Sequence, residues 1–189
     1  EGDALVENSY APVHFDTIGG KMVVNSKSGA VEGREVGGDC EINSSYDKIE
    51  VWGIMGSLIV KGPSCEVKAH DISGQTRIEN SYNPVTVSGV GESLRVLSSS
   101  GDVTVDDVEG DAYVRSSYGK TSVSRIGGTV DIESPSSSVS AREIEGNVTI
   151  VSSYDSVVVS GVKGWLDIRA QSAGVRVTDI GKNASIVTS

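Results

Sequence analysis

Apolar and polar positions along this chain recur with a fixed period. The stretch "ENSYNPVTVSGVGE" (Glu79 to Glu92) is matched in layout by "VSSYDSVVVSGVKG" (Val151 to Gly164), 72 residues later. Cutting after each recurrent glycine gives segments that begin at Asp3, Lys21, Asp39, Ser57, Gln75, Ser93, Asp111, Thr129, Asn147 and Trp165, each 18 residues long, with a partial eleventh over 183–189. A fixed period of this kind dictates the architecture before any single residue is considered.

Inside a segment the fourth position is always β-branched: Val6, Val24, Ile42, Val60, Ile78, Val96, Val114, Ile132, Ile150, Ile168 and Ile186. The second position is mostly aliphatic or small, as in Leu58, Leu94, Val130, Val148 and Leu166. A spacing of two between apolar residues marks a strand with one packed face. A second pair follows at positions 11 and 13 (Val85 and Val87, Val103 and Val105, Val157 and Val159), and position 16 is Ile or Val from Ile18 to Ile180. Position 18 is Gly in eight of ten segments, Glu92 and Lys182 being the exceptions. Glycine at this recurrent point reads as a turn.

Each unit is thus a strand, a tight turn at "SSY" or "SSG", a second strand and a glycine corner. No stretch sustains the three-and-four spacing of a helix. The prediction is an all-β chain, a single-stranded parallel β-solenoid (β-helix) forming one domain over 1–189. A sandwich or propeller would vary its loops, whereas stacked parallel coils require an invariant length and in-register apolar positions. Ten coils and a part at about 4.8 Å each make a rod about 50 Å long, with the right-handed crossover as the default.

Alternate segments differ. Position 8 is Tyr10, Tyr46, Tyr82, Tyr118 and Tyr154 in odd segments and Ser28, Ser64, Ser100, Ser136 and Ser172 in even ones. Position 15 is acidic in every even segment (Glu35, Asp71, Asp107, Glu143, Asp179) and in no odd one. The repeating unit of the sequence is therefore 36 residues, two coils. A physical coil of 36 would stack five carboxylates about 4.8 Å apart, a repulsive ladder. A coil of 18 separates them by about 9.6 Å, where solvent screens them, and is the preferred reading.

The tyrosines could form an aromatic stripe for sugar rings or a partner. Position 6 holds small residues such as Ser44, Gly62, Ser98 and Ala170. A tyrosine at position 8 is expected to close the corner beside that gap, as a structural ladder. The acidic cluster Asp102, Asp106, Asp107 and Asp111 is a weak calcium candidate, since repeated oxygen ligands staple some β-rolls. The nonapeptide that does so is absent, and a solvated acidic edge is the expectation, with no cofactor. Cys40 and Cys65 fall at positions 2 and 9 of neighbouring coils, at opposite ends of a strand, so no disulfide is expected. Cys40 reads as a core residue and Cys65 as a turn thiol.

A formal charge of −10 with 16 scattered Lys and Arg disfavours nucleic acid and anionic membrane surfaces. No run of 18 apolar residues is present for direct membrane insertion. His14 and His70, the only histidines, occupy outward positions 12 and 14 without a recurrent partner at chelating or triad spacing. Ten coils without an insertion supply no loops for a cleft, so an enzyme, including a β-helix enzyme acting on polysaccharide, is not expected. Leu5, Val23 and Ile59 at outward position 3 of the first, second and fourth coils, with Trp52 elsewhere on this end, suggest an apolar contact patch, with scattered exposed aliphatics as the alternative. The uncapped ends read as a trimmed fragment, an end-to-end assembling unit, or a rod capped by something else.

The stretch "SSSGDVTVDDVEGDAYVRSSYGKTSVSRIGGTVDIES" resembles the bacterial and archaeal adhesin β-strand-repeat family, rich in "SGDVTV" and "GxVxI" steps. The resemblance extends over essentially the whole chain. It implies a cell-surface or otherwise extracytoplasmic home, no catalytic residues, and a protein or glycan partner. The two unpaired cysteines fit a reducing compartment slightly better, so a cytoplasmic home stays open. A second resemblance, to bactofilin-type cytoskeletal solenoids, implies polymerisation through the ends. The leading expectation is a non-catalytic binding module or rigid spacer, and the alternative is a filament-forming solenoid.

Overall fold

A computed structural model describes residues 2–189. The chain winds into two parallel sheets, a front sheet of eleven strands and a back sheet of ten, and contains no helix among the described residues. Each coil contributes one strand to each sheet: in coil five these are Thr76–Asn80 and Val85–Val90. The register offset between neighbouring strands is 18 residues throughout, as in Val85↔Val103 and Val96↔Val114. The physical coil is therefore 18 residues, and the 36-residue period of the sequence spans two rungs.

The core follows from parity. In front strands positions 2, 4 and 6 point inward, and in back strands positions 11, 13 and 16 do so, giving burial alternations such as Leu94–Ser98 and Val103–Val108. The column Val24, Ile42, Val60, Ile78, Val96 is wholly buried. Each such side chain contributes about 1.5–3 kcal/mol of burial. Volumes are matched between rungs where one residue is large: the Phe15 ring lies over Gly33, and a Cβ there would sit 1.9 Å from Cζ.

Two structural devices turn the corner between back and front strands. At position 15 all ten coils adopt left-handed φ, at Thr17, Glu35, Asp71, Asp107, Arg125, Glu143 and Asp179 and at Gly53, Gly89 and Gly161. Strand pairing skips this residue, so positions 14 and 15 both face out and the aliphatic at 16 returns to the core. The glycines and acids of position 15 thus share one backbone conformation, which costs a residue with a Cβ about 1–2 kcal/mol and glycine nothing. At position 18 the requirement is space. The N–H of Gly146 donates to the Gly128 carbonyl (3.2 Å) and that of Gly164 to Gly146 (3.0 Å), so the glycines form a column. A Cβ on Gly146 would lie 2.4 Å from the Gly128 oxygen.

Position 1 supplies a staple between coils. Asp39 Oδ1 accepts the Ser57 N–H (2.8 Å), Asp111 Oδ1 that of Thr129 (2.7 Å), and Asn147 Oδ1 that of Trp165 (3.1 Å). Each of these bonds runs one rung up, satisfying a backbone donor at the corner where the strand ladder has not yet begun.

Cys65 differs from its expected place in a turn. The back strands of coils three and four are extended to Tyr46–Ile54 and Ser64–Ile72, which draws Cys65 into the sheet, and it is fully buried. Gly62 at the inward position 6 leaves the space that Cys65 fills, since a Cβ on Gly62 would stand 3.0 Å from that of Cys65. Cys40 is buried as expected, and both thiols are free. No helix of the described residues is long and apolar enough to cross a membrane.

Candidate functional site

The edge that joins front strand to back strand carries the most regular exposed chemistry of the molecule. The front strand ends at position 6, and that residue's polar side chain holds the turn that follows. Ser116 Oγ donates to the Tyr118 carbonyl (3.0 Å), and Ser44 and Ser152 make the same bond to Tyr46 and Tyr154 (3.4 Å each). In coil five Asn80 Oδ1 accepts from the Tyr82 N–H (3.2 Å), while Asn80 Nδ2 donates to the Asn83 and Cys65 carbonyls. The backbones of Tyr46, Tyr82, Tyr118 and Tyr154 are thus pinned from position 6, and in coil one the Asn8 side chain holds the turn through the Ala11 carbonyl and N–H instead.

The rings are not. Tyr10, Tyr46, Tyr82, Tyr118 and Tyr154 are 60–82% exposed. This corrects their expected role as packing ladder. Alternation of inward and outward positions ends with the strand at position 6, so a residue two places further on does not inherit the inward parity of position 6. The outcome is a row of five aromatic rings along one edge, two rungs or about 9.6 Å apart, with Ser28, Ser64, Ser100 and Ser136 on the rungs between.

Two polar grooves, lined by positions 5 to 7 of coils one to seven, run along the front-strand side of the row. One, of about 490 Å³, includes Asn8, Ser9, Asn25, Lys27, Asn43 and Ser45 in its lining. The other, of about 570 Å³, includes Asn80, Ser81, Leu97, Ser99, Arg115 and Ser117. Lys61 and Pro63 belong to both, so the two continue one another along the edge. Asn43 Nδ2 donates to Asn25 Oδ1 (3.0 Å), a side-chain bond between successive rungs. Each groove holds both signs of charge, Glu7 with Lys27 and Lys61 in one, Glu79 with Lys61 and Arg115 in the other.

The other candidates are dispersed by the fold. The acidic cluster does not converge: Asp102 Oδ1 accepts the Lys120 N–H (2.8 Å), Asp111 the Thr129 N–H, and Asp106 the Ser124 hydroxyl (2.8 Å) and the Arg125 guanidinium. Asp107 forms the left-handed corner. These are positions 10, 1, 14 and 15, spread around the coil, and among the described residues no three His, Cys, Asp or Glu side chains are placed to hold a metal ion. The contact patch is also divided. Leu5 and Val23 are adjacent on the front sheet, Glu41 separates them from Ile59, and Trp52 lies on the back sheet between Arg34 and His70. The reason is that positions 3 and 14 belong to strands of different sheets.

Further along the front face, Arg77, Arg95 and Tyr113 follow Ile59 on consecutive rungs and line a groove of about 660 Å³. The Arg95 guanidinium lies 4.2 Å from the Tyr113 ring centre, and Arg77 pairs with Glu79 at 2.6 Å. Burial, then the Glu133 carboxylate, raises the Tyr113 phenol above its usual value.

Each histidine makes one contact with the next rung, though among the described residues neither belongs to a chelating set or a triad. His14 Nδ1 is 3.3 Å from Glu32, and His70 Nδ1 is 2.7 Å from Ser88 Oγ. The 18-residue register brings position 14 of coils four and five side by side, and aligning the segments by that register is the signal that finds this pair. The neighbouring Asp106 is taken up by Ser124 and Arg125, so His70 and Ser88 stand without an orienting carboxylate on an open sheet face. Asp16 is held below the usual carboxylate range by the Thr17 hydroxyl and by Arg34.

No protein-family model, curated protein or solved structure matches the chain.

Proposed function

We propose that this chain is a non-catalytic β-solenoid working as a binding module on a rigid rod, displayed at a cell surface. The observation that carries the reading is the row of five exposed tyrosines, each on a turn held by the position-6 side chain of its coil. Large aromatic rings left mostly in water on five separate turns gain little stability from packing, whereas they offer contact area at low entropic cost to a partner. The resemblance of Ser98 to Ser134 to adhesin repeats supports the same reading and a location outside the cytoplasm. The absence of insertions supports the lack of catalysis, since every coil keeps to 18 residues and His70 and Ser88 lie on an open face.

The test is adherence. Beads coated with the chain are mixed with intact bacterial cells and isolated envelopes, and are expected to adhere above beads coated with an unrelated acidic protein. Equal adherence of the two would end the binding-module reading.

An end-to-end filament is the second reading, supported by the resemblance of the uniform 18-residue coil to bactofilin-type solenoids. Light scattering and electron microscopy over a rising concentration series decide between the two. Single rods at every concentration are expected, and concentration-dependent lengthening would establish the filament instead.

A further inference from the structure

The geometry points to an extended, β-linked neutral polysaccharide as the ligand of the tyrosine edge; this rests on the binding-module reading and names its ligand class. The first ground is spacing. Rings at position 8 recur every two rungs, about 9.6 Å, close to the length of one disaccharide unit in a fully extended β-linked glucan or chitin chain. In such a chain alternate sugars present opposite faces, so a flat binding row meets the same face at every second sugar. Five rings at a two-rung interval would each stack on an equivalent face, and the serines between them leave room for the intervening sugar.

The second ground is the flanking chemistry. Stacking satisfies the apolar face of a sugar, but its ring of hydroxyls needs donors and acceptors on the side. The two grooves beside the row supply Asn25, Asn43, Ser45, Ser81, Ser99 and Ser117. Asparagine offers both donor and acceptor atoms and serine both in one hydroxyl, which suits a ligand whose hydroxyls can play either part.

The third ground is charge. The chain carries a net charge of −10, and the grooves themselves hold carboxylates and cations together. A polyanionic glycan would be repelled at long range, whereas a neutral one is indifferent to the field and depends on contact alone.

Substitution can be made without harming the fold, because alternate coils already carry serine at position 8. The triple variant Tyr46→Ser, Tyr82→Ser, Tyr118→Ser is compared with the unaltered chain, with thermal unfolding by circular dichroism confirming that both remain folded. Each is mixed with insoluble cellulose, with chitin and, as an α-linked control, with starch granules. The unaltered chain is expected to be retained on cellulose or chitin and not on starch. Each ring removed lowers apparent affinity by about two- to tenfold, and because the rings act along one polymer the loss compounds, so the triple variant is washed out.

The inference is overturned if the unaltered chain is retained on neither β-linked polymer, if starch retains it equally, or if the triple variant binds as well. Bead adherence to cell envelopes separates this failure from failure of the broader reading. Adherence that disappears when the envelopes are treated with protease assigns a protein partner and overturns the glycan. Adherence that the triple variant keeps places the binding surface elsewhere and overturns the tyrosine edge, leaving the binding module itself intact.

Discussion

Thr121→Val is expected to stabilise the rod. Thr121 sits at position 11 of coil seven, paired with Val103 below and Val139 above, in a column that is otherwise Val or Ile. The residue is fully buried, and its Oγ1 has no hydrogen-bond partner. A buried hydroxyl without a partner costs about 1–3 kcal/mol. Valine has nearly the same shape, keeps the β-branched preference for a strand, and exchanges that hydroxyl for a methyl group that the neighbouring valines can contact. A net gain of about 1–2 kcal/mol follows, or roughly 2–8 °C in midpoint for a chain of this size. Urea unfolding followed by circular dichroism reads the change as a higher midpoint at unaltered slope. Thr104→Val on the exposed position 12 of coil six is the control, with an expected change within about 0.5 kcal/mol. A midpoint for Thr121→Val that stays level or falls would refute the reasoning, since it would mean that the hydroxyl is satisfied in the folded chain.

Two further outcomes bear on the fold. Burial pushes the Cys40 thiol from 9.0 to about 12. A raised value favours the protonated form in the folded chain, so the unfolded chain releases its proton first; stability is full below pH 9.0 and declines by about 1.4 kcal/mol per unit as pH rises towards 12. The stability advantage of the unaltered chain over Cys40→Ala should therefore shrink by about 2 kcal/mol between roughly pH 9 and pH 10.5, and a constant gap in urea titrations would contradict the assignment. The corner glycines separate conformation from space. Gly161 has φ 67° with no atom nearer than 3.4 Å to an added Cβ, so Gly161→Ala should cost about 1–2 kcal/mol and Gly161→Asn clearly less. Gly146 has no such φ but a crowded Cβ site, so Gly146→Ala and Gly146→Asn should both destabilise, and similar behaviour of the two sites in thermal unfolding would discard the distinction.

Most of the architecture was legible in the chain. The 18-residue unit, the coil boundaries and the inward sites at 2, 4, 11, 13 and 16 all appear as periodic apolar residues, because a side chain buried on every rung must be apolar on every rung. Screening between carboxylates was enough to prefer 18 over 36 residues per coil, and the strand register agrees. The left-handed corner at position 15 was only half visible. Gly53, Gly89 and Gly161 hint at it, but Glu35, Glu143, Thr17 and Arg125 are poor markers of positive φ, and only the backbone shows that all ten share it.

What the sequence determined by itself was every property that repeats: the coil, the two sheets' inward columns, the tyrosine and serine alternation at position 8. What tertiary structure alone decided was where each strand ends and which sheet a residue belongs to. A strand that stops at position 6 leaves Tyr82 in water, and one extended to begin at Ser64 carries Cys65 into the core. The same placement parts Trp52 from Ile59 and brings His70 to Ser88. Periodicity records the parity of a strand but not its end, because that end is set by hydrogen bonds to the rungs above and below and by the volume left open beneath the turn.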